Sequence, residues 1–311
     1  MKYLIVIVGP TAIGKTALSI RLAKHFHCEI LSCDSRQFFR EMSIGTAAPT
    51  NLELAAAPHH FVHNRSIEDH YTVGDFEKEA TAKLHELFTD HDWAILVGGS
   101  GLYVDAVLNG LDYFPEIDPI VRKHVLQEYT KSGLDYLQDQ LKQLDPSFYD
   151  KITVDNPQTL LNPQRMMRFI EVCIGSGKPY STFLNQKTTK RPFVPIIIGL
   201  EAERQVLYDR INRRVDVMVT SGLLEEVKSL HDNRHRNALQ TVGYREIFEY
   251  LDGSITLDQA IEEIKKNTRR FAKRQLTWFK KNEDIKWFDY QTNEEMIIDY
   301  ITSRIHAKQT S

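Results

Sequence analysis

The residues best equipped for chemistry begin at Gly9. Gly9-Pro10-Thr11-Ala12-Ile13-Gly14-Lys15-Thr16 matches G-x-x-x-x-G-K-[ST] at every fixed position. Two glycines at that spacing let the backbone fold back, so that its N–H groups point into one cavity with the positive end of the following helix. Lys15 adds a point charge, and the Thr16 hydroxyl can ligate Mg²⁺ beside the same phosphates. The target is a di- or triphosphate; the motif does not say whether that group is transferred, hydrolysed or leaves. A glycine-rich turn with a chance lysine is the alternative. A second cluster is Asp34-Ser35-Arg36-Gln37. A lone Asp would be a turn or cap residue, whereas four polar residues behind an apolar run offer a base at a site. Arg210, Arg213 and Arg214 suit either a bidentate diphosphate clamp or a solvated helix face. His59-His60 has no further Cys/His spacing to make a metal site, which leaves a structural or substrate-contact role.

Positioning these groups requires strands. Tyr3 to Val8 is apolar throughout, the pattern of a parallel strand buried on both faces, and Leu18 and Leu22 follow it at helical spacing. Residues 29–35 read as a second strand ending in the Asp34 cluster. In an open parallel sheet the carboxyl ends of the strands share one edge with the glycine loop, so Asp34 should face whatever the phosphate carries. Thr72 to Phe88 is amphipathic. Trp93 to Val97 is the third strand, running into Gly98-Gly99-Ser100-Gly101, where something must approach the backbone closely. From Asp112 to Pro192 the texture changes: Asp118-Pro119 and Asn162-Pro163 start helices with a cap and a first-turn proline. Leu134, Leu137, Leu141 and Leu144 mark another helix, ending before Asp145-Pro146. With no obvious strand there, the stretch reads as an insertion, and the strand pattern returns at Phe193 to Leu200. The expected fold is α/β: a P-loop NTPase-like parallel sheet core, 1–115 and 193–311, interrupted by an all-helical insertion domain, 116–192. A capping box at Thr256 and Gln259 opens a helix to about Lys280. Nine Lys/Arg fall between 265 and 286, with Phe271, Trp278 and Phe279 interleaved. That pattern favours a phosphate backbone as partner over plain solvated surface. The last thirty residues read as a small terminal helix.

Bulk properties narrow the class. A formal charge of −3 over 311 residues advertises no global field for nucleic acid, so only local clustering counts. Three cysteines, Cys28, Cys33 and Cys173, fit a reducing compartment. The apolar start is too short for a membrane span and lacks a cleavage site, so a soluble cytoplasmic protein, monomeric and without membrane contact, is expected. An ordinary ATPase or kinase is disfavoured, because no run of four apolar residues ends in the Asp with which P-loop hydrolases hold Mg²⁺; Ala94 to Val97 ends in glycines instead. A diphosphate held as a leaving group, with a nucleophile delivered by nucleic acid, suits the basic helix and the Asp34 base.

GPTAIGKT, CDSRQFF with MSIGTA after it, the histidine pair, YTVGDF, LVGGSGLYVDAVL, NPQRMMR, GKPYS, RINRRVDVM, TVGYREIFEYL and AKRQLTWF occur in that order across nearly the whole chain. In these blocks the sequence resembles the tRNA dimethylallyltransferases, or tRNA isopentenyltransferases. The resemblance implies transfer of a dimethylallyl group from dimethylallyl diphosphate to N6 of adenine 37, beside the anticodon of tRNA. It also implies Mg²⁺ and an insertion that grips the anticodon stem-loop. Residue by residue, it makes Gly9 to Thr16 the diphosphate cradle, Thr16 the metal ligand, Asp34 the general base and Arg214 a diphosphate-binding arginine. Thr11 would flank the acceptor. Asp34, Ser35, Arg36, Gln37, Ser100, Arg122, Gln164, Arg165, Met166, Met167 and Arg168 match tRNA-contact positions. So do Gln240, Thr241, Val242, Gly243, Tyr244 and Arg245. Ser100 stands where the family usually has Thr, Ala48 where it has Lys, and His63 where it has Asp. No zinc finger of the eukaryotic kind follows, which points to a bacterial-type member. Adenine would have to flip out of its stack to reach the sheet edge. The other readings are a P-loop small-molecule or nucleoside kinase, with Asp34 on the acceptor hydroxyl, and a tRNA-binding protein with a vestigial nucleotide loop.

Overall fold

The computed structural model describes residues 1–185 and 190–309. It divides into two compact units, Met1–Leu108 with Arg191–Ser311, and Asn109–Lys190. The expected insertion 116–192 contains 186–189, which lie outside the described residues.

In the first unit, strand β1 (Tyr3–Val8) is buried at all six positions because helices cover both faces of its sheet. The loop 9–14 leads to α1 (Lys15–Phe26), and then β2 (Ile30–Ser32), α2 (Asn51–Ala56), β3 (His59–His60), α3 (Val73–Asp90), β4 (Trp93–Val97) and α4 (Gly101–Asn109) follow. Capping boxes start α2 at Thr50 and α3 at Thr72, each satisfying two otherwise unpaired backbone N–H groups. The second unit contributes α5 (Pro119–Leu144), α6 (Pro146–Asp155) and α7 (Pro163–Ser176). Each begins with Pro behind a capping Asp118, Asp145 or Asn162. The core then resumes with β5 (Val194–Glu201), α8 (Arg204–Thr220), α9 (Leu223–Ser229), α10 (Tyr244–Leu251), α11 (Leu257–Phe279), β6 (Lys286–Asp289) and α12 (Glu294–Gln309).

The six strands are parallel in the order β3-β2-β4-β1-β5-β6. Tyr3, Ile5 and Ile7 face α1, Leu207 and Ile211 of α8, and Ile297 and Ile301 of α12. Leu4, Val6 and Val8 face Phe76, Ala80 and Leu84 of α3, and Val104 and Val107 of α4. A third cluster joins Phe39 and Met42 to α8, α9, α10 and α11. The chain leaves β1 towards β2, returns as β4 and crosses to β5, so the glycine loop sits where the strand order reverses, the usual ligand crevice of such sheets.

Three expectations are corrected and one is upheld. The histidine pair forms an edge strand, so Trp93–Val97 is the fourth strand rather than the third. The strand expected at 29–35 is regular only over Ile30–Ser32, with bonds to β4 from the Glu29 carbonyl and the Cys33 N–H at its two ends, because the polar cluster from Asp34 turns away from the sheet. The leucine-marked helix is separate as expected: within α5 the backbone at Gly133 is non-helical (φ 70°, ψ −160°), a conformation that only glycine tolerates readily, and it divides 119–132 from 134–144. The last thirty residues hold β6 as well as a helix. At four residues, paired only with β5 and with exposed ends, it lacks the apolar run of the inner strands.

Candidate active site

The carboxyl edge of the sheet gathers the phosphate loop, the Asp34 cluster, the Gly98-Gly99 turn and the arginines of α8. A cavity there is lined by Thr11 to Thr16, Asp34, Gln37, Thr46, His59 and Arg214, among others. Lys15 Nζ donates to the carbonyls of Gly9 (3.0 Å) and Pro10 (2.8 Å). Burial lowers the Lys15 ammonium to about 8, with Asp34 opposing that shift and Arg214 adding to it. Arg214 donates to Thr11 Oγ1 at 3.2 Å, and Arg210 to the Ala12 carbonyl at 2.8 Å. Burial, followed by repulsion from Arg210, lowers the Arg214 guanidinium from its ordinary value. These cations converge where a diphosphate would sit; Arg213 instead returns to the Asp209 carbonyl on its own helix.

Asp34 is the one carboxylate among the residues lining this cavity. Its Oδ1 accepts from the Arg36 N–H (3.1 Å) and its carbonyl from the Gln37 N–H (3.2 Å), a turn that aims the side chain off the end of β2. Ser35 is held by Ser100, whose Oγ accepts from the Ser35 N–H at 3.2 Å. Arg36 donates to the carbonyls of Asn237 and Ala238, and Gln37 to those of Thr46 and Ala47.

A second cavity, also lined by Thr11, Asp34, Thr46 and Arg214, continues along Gln240, Thr241, Val242, Gly243 and Arg245 to Phe271 and Arg274. A third, lined by Ala12, Thr16, Arg210, Arg213 and Arg214, also takes in Ala48 and His63. Two of the three side chains read as departures, Ala48 and His63, therefore share one space.

The donor set suits a hard cation that draws most of its ligands from a substrate. Thr16 offers a hydroxyl, and no group of three or more His, Cys, Asp or Glu converges among the described residues. His59 Nδ1 lies 2.7 Å from the Ala57 carbonyl, which can only accept, so the proton is on Nδ1. Burial keeps the ring neutral by lowering its pKa. Its Nε2 is buried without a hydrogen-bond partner and carries a bare lone pair in a residue lining the phosphate cavity.

Two residues matched to tRNA-contact positions are core instead. Met166 is 0 % exposed inside the second unit, and Tyr244 is 0 % exposed with its hydroxyl on Glu226. Each occupies the inward face of its helix. In the second unit Arg165, Gln164 and Arg168 are exposed. Arg122 and Arg168 lie 3.8 and 3.9 Å from Glu171, itself 5 % exposed. The basic helix α11 is partly neutralised: Lys265 pairs with Asp216 and Glu262, Lys266 with Glu263, and Lys280 beyond its end with Glu201. Lys273 and Lys281 have no carboxylate partner among the described residues, and with Arg270, Arg274, Thr277 and Trp278 they line a shallow surface cavity. The three cysteines are buried and free, and burial raises all three thiols, so none is a nucleophile.

Sequence reasoning passed over Gln275. At 6 % exposure its Oε1 accepts from the Thr11 N–H and its Nε2 donates to the Gly99 carbonyl, both at 2.9 Å, tying the phosphate loop to the glycine turn after β4. A Cβ on Gly99 would collide with that amide, which is why the turn needs glycine there. The available signal was a polar residue on the core stripe of an amphipathic helix.

Fold and site together define an α/β protein with a P-loop NTPase-like core, its glycine loop beside a carboxylate that lines two neighbouring cavities. The family model described as IPP transferase matches residues 37–282. The chain is 66 % identical to the tRNA dimethylallyltransferase of Flavobacterium johnsoniae over 99 % of both chains, and 59 % identical to that of Flavobacterium psychrophilum over 98 % of this chain and 99 % of the other. Among solved structures, the full-length tRNA isopentenylpyrophosphate transferase of Bacillus halodurans superposes with TM-score 0.74 at 36 % identity, covering 100 % of this chain and 99 % of that one. A eukaryotic dimethylallyltransferase acting on tRNA gives TM-score 0.79 at 24 % identity over 99 % of this chain and 80 % of its own, a likeness of fold. This chain belongs to the IPP transferase family.

Proposed function

We propose that this protein is a tRNA dimethylallyltransferase, moving the dimethylallyl group of dimethylallyl diphosphate to N6 of adenosine 37 and releasing diphosphate. The observation that carries the reading is that Asp34, Thr11 and Arg214 line both the phosphate cavity and the neighbouring cavity along 240–245. A donor in one and a base in the other would meet at a carboxylate.

The exocyclic amine of adenine is a poor nucleophile because its lone pair is delocalised into the ring. The allylic C–O bond breaks readily, since charge spreads over the prenyl fragment while Lys15 and Arg214 offset charge on the departing oxygens. The C–N bond forms, and the amine proton passes to Asp34. Thr16 would hold a Mg²⁺ ion that, when bound, would supply positive charge to the diphosphate, and His59 Nε2 would offer its lone pair as an acceptor at the same cavity wall. The helical unit would grip the anticodon stem-loop through Arg122, Gln164, Arg165 and Arg168. Ser35, Ser100 and the 240–245 segment would surround the flipped base. The enzyme would work as a monomer in the cytoplasm.

Incubation with unmodified anticodon stem-loop RNA, Mg²⁺ and dimethylallyl diphosphate should add one C5H8 unit to the RNA. Consumption of ATP in a parallel incubation, without that mass gain, would replace the reading with a kinase. Asp34→Asn should lower kcat by about 10² to 10⁴-fold while RNA affinity stays within about threefold. Equal loss of both would remove Asp34 as the base.

A further inference from the structure

The segment 43–48 is the partition of the site. Thr46 lines the phosphate cavity and the acceptor cavity, Gly45 lines the acceptor cavity, and Ser43, Ile44, Ala47 and Ala48 line the third cavity beside the arginines. The segment has no regular secondary structure to stiffen it; Gln37 holds the carbonyls of Thr46 and Ala47, and a single carboxylate holds the N–H groups at its start. Glu226, in α9, accepts from the backbone N–H groups of Ser43 (2.9 Å) and Ile44 (2.7 Å) on Oε2, and from Gly45 (2.9 Å) on Oε1. The Tyr244 hydroxyl donates to the same Oε1 at 2.6 Å. Four donors around one half-buried carboxylate make charge-assisted bonds, the stronger kind. Tyr244 in turn packs its ring on Gly45 so closely that a Cβ there would lie 2.5 Å from it.

We propose that Glu226 is a positioning residue for the transfer reaction: it fixes the partition, and so sets the approach of the acceptor amine to the donor carbon. The inference rests on the donor and acceptor cavities as assigned above. Glu226 touches neither substrate; it acts through Gly45 and Thr46. A displacement of about 1 Å in such a wall can cost about a hundredfold in rate through lost near-attack geometry.

Glu226→Gln keeps the shape and removes the charge. An amide has one accepting oxygen, so at least one backbone N–H must then face an NH₂ donor. With the oxygen turned to Ser43 and Ile44, the group left unpaired is the Gly45 N–H, next to Thr46. The expected result is a fall in kcat of about tenfold or more, with KM for both substrates within about threefold. Exchange of the Gly45 amide should be faster by about tenfold or more, without acceleration across β1 and β4. Glu225→Gln, an exposed neighbour on the same helix, should leave kcat unchanged. Gly45→Ala, which displaces the partition from the Tyr244 side with Glu226 intact, should reproduce the kcat loss and decides the matter if Glu226→Gln does not fold. A folded variant at either position with wild-type kcat, or with its loss wholly in KM, overturns the inference. Failure of the wild-type protein to prenylate RNA would overturn the proposed function instead, so the two failures are told apart.

Discussion

Lys15 shows how one side chain links site chemistry to stability. Its ammonium titrates at about 8 because burial disfavours the charge more than Asp34 restores it. Between that value and the ordinary 10.5, the unfolded chain binds more protons than the folded one, so this group's contribution to stability rises with pH across the window. Below about 8 both states are protonated and the whole penalty is felt. Lys15→Met should therefore be the more stable protein at pH 7, by up to about 3 kcal/mol, and lose that advantage as the pH passes 10.5. Denaturant titrations at two pH values check it. A bound diphosphate favours the charged lysine, so donor binding above pH 8 must take up a proton. Affinity for dimethylallyl diphosphate should fall by up to about tenfold per pH unit there, and calorimetry in buffers of different ionisation enthalpy should detect the uptake. A flat profile would mean that Lys15 does not meet the diphosphate.

At the scale of elements, the phosphate loop depends on a helix far away in sequence. Gln275 of α11 satisfies the Thr11 N–H and the Gly99 carbonyl together. Gln275→Ala leaves both groups unpaired, costing about 1–3 kcal/mol each where water cannot replace the amide. Gly99→Ala drives a methyl into the same amide. Each variant should raise KM for the prenyl donor by loosening the loop, and the double variant should lose much less than the sum, because both break one contact. Additive effects in that cycle would show that the glycine serves some other approach.

For the whole molecule, RNA affinity should depend on the cations left over once internal pairing is complete. On and just beyond α11 these include Lys273 and Lys281, with Arg270 and Arg274 beside them, and Arg274 also reaches the acceptor cavity. Plots of log affinity against log salt should be steep, and Lys273→Ala with Lys281→Ala should flatten the slope by about two. Removing Lys265 should change it little, since Asp216 and Glu262 already hold that charge. An unchanged slope in the double variant would place the RNA track elsewhere.

What the sequence determined alone was whatever depends on neighbouring residues: the phosphate loop between strand and helix, the polar turn at Asp34, and the cap-plus-proline starts of the second unit's helices. Those are statements about local backbone geometry, and eight or ten consecutive residues contain them. Only the tertiary structure decided which polar groups find each other. Thr11 and Gln275 stand 264 positions apart, and Glu226 meets Gly45 across 181. The same holds for the burial of Met166 and Tyr244 inside segments that look exposed, and for the pairing of Lys265, Lys266 and Lys280 in the basic stretch. β6 forms because β5 offers it an edge. Nothing in its own four residues demands a strand. Such outcomes turn on which surfaces the fold brings together, and side-chain chemistry read along the chain carries no record of that.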